Sequence, residues 1–376
     1  MSELLPALPW LVPFVSLVRL ANNRPNLSDV PPATGPLVSV VIPARNESAT
    51  IATVARSVLA STYQPLEILV VDDRSSDDTA AIVSRLALED SRLRLVSGQP
   101  LPDQWYGKPW ACVQGYREAR GDLLLFTDAD TRHAPELLAR AVGALGAERA
   151  DLVTVAPRQR CESFWERVVM PQIWLLLGVR YHPSTVNRAR RERDVIANGQ
   201  FILLPRASYE AVGTHEAVRQ EVAEDLALAQ AIHRAGRKIH FAFAERLMET
   251  RMYQSLPDMV EGWSKNVYLG GRQSFPEEPV LRLLVPGMLL GAFLFWLIPP
   301  MVLAMTGVGG GLGPAAAVAT GLSALFWMLI SYGMKIPVWY GLLYPIGALV
   351  ALYIAARSTW RGERRVEWRG RRYGGR

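Results

Sequence analysis

The sequence predicts an α/β fold, a mostly parallel sheet covered on both faces by helices, followed by apolar segments of membrane-spanning length. Three observations carry this. Short β-branched runs alternate with stretches of helical spacing from Leu37 to Arg234. One run, Leu123–Phe126, is unbroken and apolar and leads straight into Thr127, Asp128, Ala129 and Asp130. Such a run reads as a strand buried on both faces, with two carboxylates at its carboxyl end, where open α/β sheets bind ligands. Finally, Leu283–Met305, Pro314–Tyr332 and Pro337–Ala356 are almost free of charge, each close to the ~20 residues that a bilayer crossing needs.

Bulk properties agree. Half of the 376 residues are hydrophobic and the net charge is +6; mean hydropathy is +0.10 and the pI about 9.4. The positive surplus gathers in the tail, at Arg357, Arg361, Arg364, Arg365, Arg369, Arg371, Arg372 and Arg376. A basic tail beside apolar segments suits anionic lipid headgroups. No zinc-finger spacing and no aromatic-basic RNA motif is present, so no nucleic-acid partner is expected. Two cysteines, Cys112 and Cys161, make neither a disulfide framework nor a metal cluster.

In chain order, residues 1–20 are apolar but broken by Pro6, Pro9 and Pro13. They lack a basic start and a cleavage site, which argues against a signal peptide. The expectation is an interfacial or re-entrant anchor, with a marginal span as the alternative. Residues 21–36 form a polar linker. Leu37–Pro43, Ile68–Val71, Leu93–Val96, Leu123–Phe126, Leu152–Val155 and Val195–Pro205 read as strands. Asn46–Leu59, Ala80–Leu88, Pro109–Arg120, Ala134–Ala144 and Val222–Arg234 read as helices. Phe164–Val179, rich in aromatics and interrupted by Pro171, suits a helix at the membrane surface or an ordinary buried one. The expected division is a sheet domain over 37–280, about three membrane segments over 281–357, and a basic tail over 358–376. The arginines predict a cytoplasmic carboxyl end, yet three full crossings after a cytoplasmic domain would leave that tail outside. One segment is therefore expected to be irregular, with Pro299–Pro300 and Gly307–Gly313 as the place for it.

Several motifs carry chemistry. Asp128 and Asp130, at i and i+2, can direct oxygens at one hard cation, Mg2+ or Mn2+, which also takes phosphate oxygens from a substrate. Pro43, Ala44, Arg45, Asn46 and Glu47 follow the first strand, where a hydride-transfer enzyme would carry a Gly-x-Gly-x-x-Gly loop. These residues offer hydrogen bonds to a base or ribose, or a helix cap at Asn46. Asp73, and to a lesser degree Asp72, are candidate nucleoside contacts; Ser75, Ser76 and Asp77 suit the cap of the next helix. Lys108, between Gly107 and Pro109, can meet a diphosphate as a point charge. Glu224 and Asp225 open a helix, favourable by its dipole alone, and one of them can serve as general base toward a hydroxyl nucleophile.

Together, Val38–Glu47, Val70–Thr79, Gly107–Ala111, Thr127–Asp130 and Ala223–Ala229 resemble glycosyltransferase family 2, the inverting GT-A nucleotide-sugar transferases, from about Val38 to Arg272. Trp110–Gly115, Gly262–Asn266 and Val366–Tyr373 are similar to the membrane-associated branch that glycosylates carotenoids and hopanoids. The resemblance implies a GT-A sheet domain. It makes Asp130 the chief metal ligand, with Asp128 against the ribose or metal. Asp73 and Glu47 then contact the nucleoside, Asp225 is the base and Glu224 lies beside it. The chain lacks the Q/R-x-x-R-W element of processive members; Lys265 and Trp263 stand in that region, as a charge near the diphosphate and a platform for the acceptor. The expected reaction moves one hexose, glucose from UDP-glucose in the first instance, from a nucleotide sugar to a hydroxyl of a membrane lipid. The competing readings are a membrane-anchored binding protein without activity and a membrane-linked nucleotidyltransferase.

Overall fold

The computed structural model describes residues 2–22, 24–362, 366–368 and 371–373. They divide into two compact units: residues 24–160, 183–252 and 365–376 form a sheet unit, and 1–23, 161–182 and 253–364 form a helical unit. This differs from the linear division expected at residue 280. The segments 161–182 and 253–273 join the apolar helices because their own apolar faces find partners there.

The sheet unit is built on strands β1 (Val38–Ala44), β2 (Leu66–Asp72), β3 (Leu93–Ser97), β4 (Leu123–Thr127), β5 (Thr131–His133), β6 (Leu152–Ala156), β7 (Arg158–Gln159), β8 (Phe201–Pro205), β9 (Ile239–Phe243) and β10 (Met248–Thr250). The main sheet has the order β3-β2-β1-β4-β8-β6-β9, and a smaller one has the order β5-β10-β7. In the main sheet only β8 is inverted, pairing antiparallel with both β4 and β6. The expected mostly parallel sheet is therefore found. All seven residues of β1 and all five of β4 are buried, as a strand covered on both faces requires.

The register decides what meets at the edge. Ala44 lies opposite Asp72 and Thr127 opposite Phe201. The carboxyl ends of β1, β2 and β4 and the amino end of β8 thus share one edge. Helices Thr79–Glu89, Gly107–Glu118 and Glu224–Arg234 start from loops at that edge. Gly115 lets the helix Gly107–Glu118 lie close to the sheet: a Cβ there would collide with Val41 and stand 2.9 Å from Val71 Cγ2. The first helix begins at Ile51 rather than Asn46. Asn46 is left-handed, φ 53°, and its side chain accepts from Ser76 N at 2.8 Å instead of capping.

In the helical unit, Ser2–Leu11 is a 3-10 helix continuing into an α-helix over Val12–Ala21. Pro6 and Pro9 deny donors to an α-helical ladder, and the tighter winding tolerates them. Helices Phe164–Arg180, Leu256–Gln273, Pro279–Thr306, Gly313–Gly333 and Tyr344–Arg361 follow, the last preceded by a 3-10 turn, Val338–Leu343. Glu3–Ala21, Pro279–Thr306, Gly313–Gly333 and Val338–Arg361 are long and apolar enough to cross a membrane. The amino-terminal stretch, expected to be an interfacial or re-entrant anchor with a marginal span as the alternative, has a span's length and composition. Phe164–Arg180 opens with a capping box between Ser163 and Glu166 and buries Val168–Ile173, which fits a packed helix. In the tail, Val366–Trp368 pairs antiparallel with Arg371–Tyr373; Arg364, Arg365, Arg369 and Arg376 lie outside the described residues.

Glycines separate packing from mere permissiveness. Gly115→Val should destabilise the sheet unit by about 1–3 kcal/mol through overpacking. Gly146→Ala, where an added Cβ meets nothing within 4 Å, should be neutral or stabilising. Thermal unfolding of the two variants checks this contrast.

Candidate active site

The shared edge has one half built from the loops after β1 and β2, where the expected nucleoside contacts lie, and a charged half. On the first, Arg45 donates from Nη1 to the carbonyls of Asp73 at 2.6 Å and Arg74 at 3.0 Å. It ties the loop after β1 to the loop after β2. The backbone N–H of Glu47 donates to Thr79 Oγ1 at 2.8 Å, and its carboxylate accepts from Thr50 Oγ1 at 3.0 Å. Asp72 receives Ser75 N at 3.3 Å, and Asp73 is fully buried with its N–H on the Ala44 carbonyl at 2.8 Å. Pro43 and Ala44 end β1 just before this clamp. Asp77, one residue ahead of the N-cap Asp78, accepts from Thr79 N at 3.1 Å. Burial raises its pKa, but hydrogen bonds from Thr79 and Ser48 outweigh that and hold it at about 2.

The charged half centres on Lys108, at the start of its helix. Its Nζ lies 2.8 Å from Asp128 Oδ1 and 2.8 Å from Glu224 Oε1. Burial disfavours the ammonium, yet Asp128, Glu224 and Asp225 together hold its pKa well above the usual lysine value. Asp225 sits beside this ion group. Its two oxygens accept from Gly199 N and Leu226 N, each at 2.8 Å. Burial and the neighbouring Glu224 charge raise its pKa to about 6, against the pull of Lys108 and the two backbone donors. A carboxyl group poised there is half-ionised near pH 6 and mostly ionised at neutral pH, which suits a general base.

A small cavity lined by Pro43, Lys108, Asp128, Gly199, His215 and Glu224, among others, joins the two halves. The sequence-predicted Pro43, Lys108, Asp128 and Glu224 therefore share one wall, with Asp225 behind Gly199 and Asp130 two residues along the turn from Asp128. Trp263 and Lys265 lie on the helix Leu256–Gln273 of the helical unit. Trp263 is 6% exposed and packs edge-on against Trp174 and Tyr253, so within that unit its indole is a packing group.

Three groups escaped the sequence reading. Gly199 precedes β8, and a Cβ on it would stand 2.8 Å from Lys108 Nζ and 3.1 Å from Asp225 Oδ2. An isolated Gly in the run Asn198–Gln200 was the available signal for such a close approach. His215 is buried and meets Tyr209 Oη through Nδ1 at 2.6 Å; burial lowers its pKa to about 4, so it stays neutral. Cys112, also in the wall, has its thiol pushed up by burial and remains protonated.

Removing the ammonium leaves burial and the Glu224 charge opposed only by the two backbone donors. Lys108→Met should therefore raise the Asp225 pKa above its value of about 6. Carboxylate infrared difference spectra against Asp225→Asn should show ionisation moving to higher pH; an unmoved midpoint contradicts the electrostatic account.

Comparison with known proteins agrees with the fold. Residues 39–213 match the family model Glycosyl transferase family 2. A 4,4'-diaponeurosporenoate glycosyltransferase of Staphylococcus haemolyticus (strain JCSC1435) is 25% identical over 253 residues, covering 66% of this chain and 65% of the relative. Its namesake in Staphylococcus aureus (strain USA300) is 26% identical over 246 residues, covering 64% and 63%. The chain thus spans just under two thirds of the length of these curated relatives. The mannosyltransferase PcManGT from Pyrobaculum calidifontis, solved in complex with GDP-Man and Mn2+, matches with a TM-score of 0.57 at 18% identity, over 96% of this chain and 97% of that one. At that identity the likeness is one of fold. Over residues 39–213 the chain thus resembles glycosyl transferase family 2, with a sheet of the GT-A type.

Proposed function

We propose that the chain is an inverting, metal-dependent transferase that moves a single hexose, glucose from UDP-glucose in the first instance, to a hydroxyl of a hydrophobic lipid such as a carotenoid or hopanoid. The observation that carries this reading is Asp225, a carboxylate with a raised pKa next to the Lys108–Asp128–Glu224 group at the sheet edge. Asp225 takes the acceptor's proton as the new C–O bond forms. Lys108 stays cationic and meets the diphosphate as charge develops on the leaving group. Arg45 holds the two nucleotide-side loops together, and Asp73 and Glu47 face the nucleoside. Lys265, on the helix Leu256–Gln273, would supply charge for the diphosphate, while Trp263 on the same helix is a packing group.

The donor set fits a hard divalent cation. The turn offers carboxylate oxygens from Asp128 and Asp130. Among the described residues no group of three or more His, Cys, Asp or Glu is arranged to hold a metal ion by itself. A partial protein shell completed by substrate phosphates and water is the usual arrangement for Mg2+ and also suits Mn2+. Because Asp128 is paired with Lys108, Asp130 would be the chief ligand. The ion would supply Lewis-acid stabilisation of the departing diphosphate.

The acceptor and the site's location follow from supporting observations. The four long apolar helices suit an enzyme of the cell membrane, and the basic carboxyl end argues for a cytoplasmic catalytic domain. The names of the staphylococcal relatives denote a carotenoid. They also end in -oate, a carboxylate, which favours a second reading in which the acceptor is already ionised and needs no base.

Purified enzyme with labelled UDP-glucose and lipid extract separates these readings. Asp225→Asn should bind donor normally but lose about 10²- to 10⁴-fold in transfer to a hydroxyl, and the parental rate should fall as pH drops through about 6. Near-parental turnover by the variant, with an alkali-labile product, selects the carboxylate acceptor. Chelation of divalent metal should abolish transfer, and release of pyrophosphate instead of nucleoside diphosphate would mark a nucleotidyltransferase.

A further inference from the structure

Beneath the acidic turn lies a buried polar group that the mechanism does not use. Thr127 Oγ1 donates to the Gln200 carbonyl at 2.7 Å, and Thr131 Oγ1 donates to the Asp128 carbonyl at 2.8 Å. His133 Nε2 stands 3.1 Å from the first hydroxyl and 3.2 Å from the second. Both hydroxyl protons are committed to carbonyls, so Nε2 must be the donor, and the ring is the neutral Nε2–H tautomer. Burial lowers its pKa to about 3, which keeps it in that form. The ring is 7% exposed and lies near Phe201, at 5.9 Å between centroids.

We propose that His133 is the positioning residue of the turn 127–131: its Nε2–H, shared by two threonine hydroxyls, aims Thr127 at β8 and Thr131 at the Asp128 carbonyl. Both ends of the segment carrying Asp128 and Asp130 are thereby pinned. The inference rests on the reading of this turn as the cation site for its consequence, but not for its geometry. His133→Phe keeps the ring and loses the donor; His133→Gln restores an N–H in nearly the same place. Hydrogen exchange at amides 128–131 should quicken in the Phe variant and return toward the parental rate in the Gln variant. Mn2+ affinity measured calorimetrically with UDP present should weaken about tenfold or more in the first and recover in the second. Unchanged exchange in the Phe variant, or a folded Gln variant no better than Phe, overturns the proposal. Normal exchange behaviour with no Mn2+ binding by the parent overturns the cation reading alone.

A separate observation concerns the helical unit by itself. The helix Leu256–Gln273 touches the start of Pro279–Thr306 and the end of Tyr344–Arg361. Near its carboxyl end, a Cβ on Gly271 would stand 2.9 Å from Val285 Cγ1, at the start of Pro279–Thr306. Tyr268 N donates to Ser358 Oγ at 2.9 Å, and Glu261 receives Arg357 at 2.8 Å and Arg361 at 2.6 Å, at the end of the last helix. At the other end Trp296, Leu297, Phe326, Trp327, Tyr344 and Ala348 form one cluster. Trp296 lies about 25 Å along its helix from Pro279, and Tyr344 about 21 Å back from Ser358, at 1.5 Å per residue. Tyr344–Arg361 therefore starts at the depth of Trp296 and returns to the level of Leu256–Gln273. Gly341 packs on Met328, so the chain doubles back after Gly333.

We infer that residues 279–361 cross the bilayer twice, not three times, with Gly313–Gly333 and Tyr344–Arg361 as two overlapping pieces of one return passage. Gly362 then shares a side with Glu277, and the uncharged 307–312 faces the other side. Arg282, Arg357 and Arg361 all fall toward the first side, which the positive-inside rule makes cytoplasmic. Single cysteines at Glu277, Gly309 and Gly362 in a Cys112→Ser, Cys161→Ser background, in sealed vesicles, test this. A membrane-impermeant maleimide should label positions 277 and 362 from the same face and 309 from the opposite one. Labelling of 362 together with 309, or of all three from one face, overturns the inference, whatever the enzyme's activity.

Discussion

One ammonium and three carboxylates share a largely buried sheet edge, and the rest of the site follows from keeping that group charged. Lys108 loses hydration and would favour its neutral form in isolation. Asp128 and Glu224, each 2.8 Å away, reverse that preference. A carboxylate in the same place without the lysine would be equally unstable as an anion. The group is therefore interdependent, and Asp225 feels the remainder: burial and Glu224 push its pKa up, and Lys108 with two backbone donors stops it at about 6. Gly199 belongs to this balance, because a side chain there would occupy the space of Lys108 Nζ.

The sheet makes the group possible by bringing residues 108, 128 and 224 to one edge. Parallel β1, β2 and β4 send their following loops to the same side. The inverted β8 returns its amino end there, delivering Gly199 and Gln200 to the face of β4. An all-parallel sheet would place the opposite end of that strand at the edge. The antiparallel pairing of Thr127 with Phe201 also puts the Gln200 carbonyl within reach of the Thr127 hydroxyl, which joins the turn to the strand below it.

The helical unit follows a different logic. Its helices are apolar over most of their circumference, so sequence pattern gives no face. Aromatic contacts select the packing: Trp296 stacks on Phe326 at 4.9 Å and meets Trp327 at 5.3 Å. Glu261 and its two arginines add a charged lock where Leu256–Gln273 meets the last helix. Trp263 is held in the same unit by Trp174 and Tyr253.

Much of this was legible in the residues alone. β-branched runs, helical spacing and the carboxylates at strand ends announced the parallel sheet and the edge at which the candidate residues gather, because buried strands must be apolar and polar side chains are left to their ends. Long uncharged segments announced membrane helices, since a bilayer tolerates little else. What the linear chain could not express was proximity. That Lys108 answers two carboxylates 20 and 116 residues away, that Gly199 makes room for them, that His133 braces the turn, and that Leu256–Gln273 packs with the apolar helices all depend on which surfaces meet. Local sequence determined the kinds of element and the chemistry of their ends; tertiary packing alone decided the pairings, because hydrogen bonds and charge pairs form across space between segments whose separation the one-dimensional pattern does not encode.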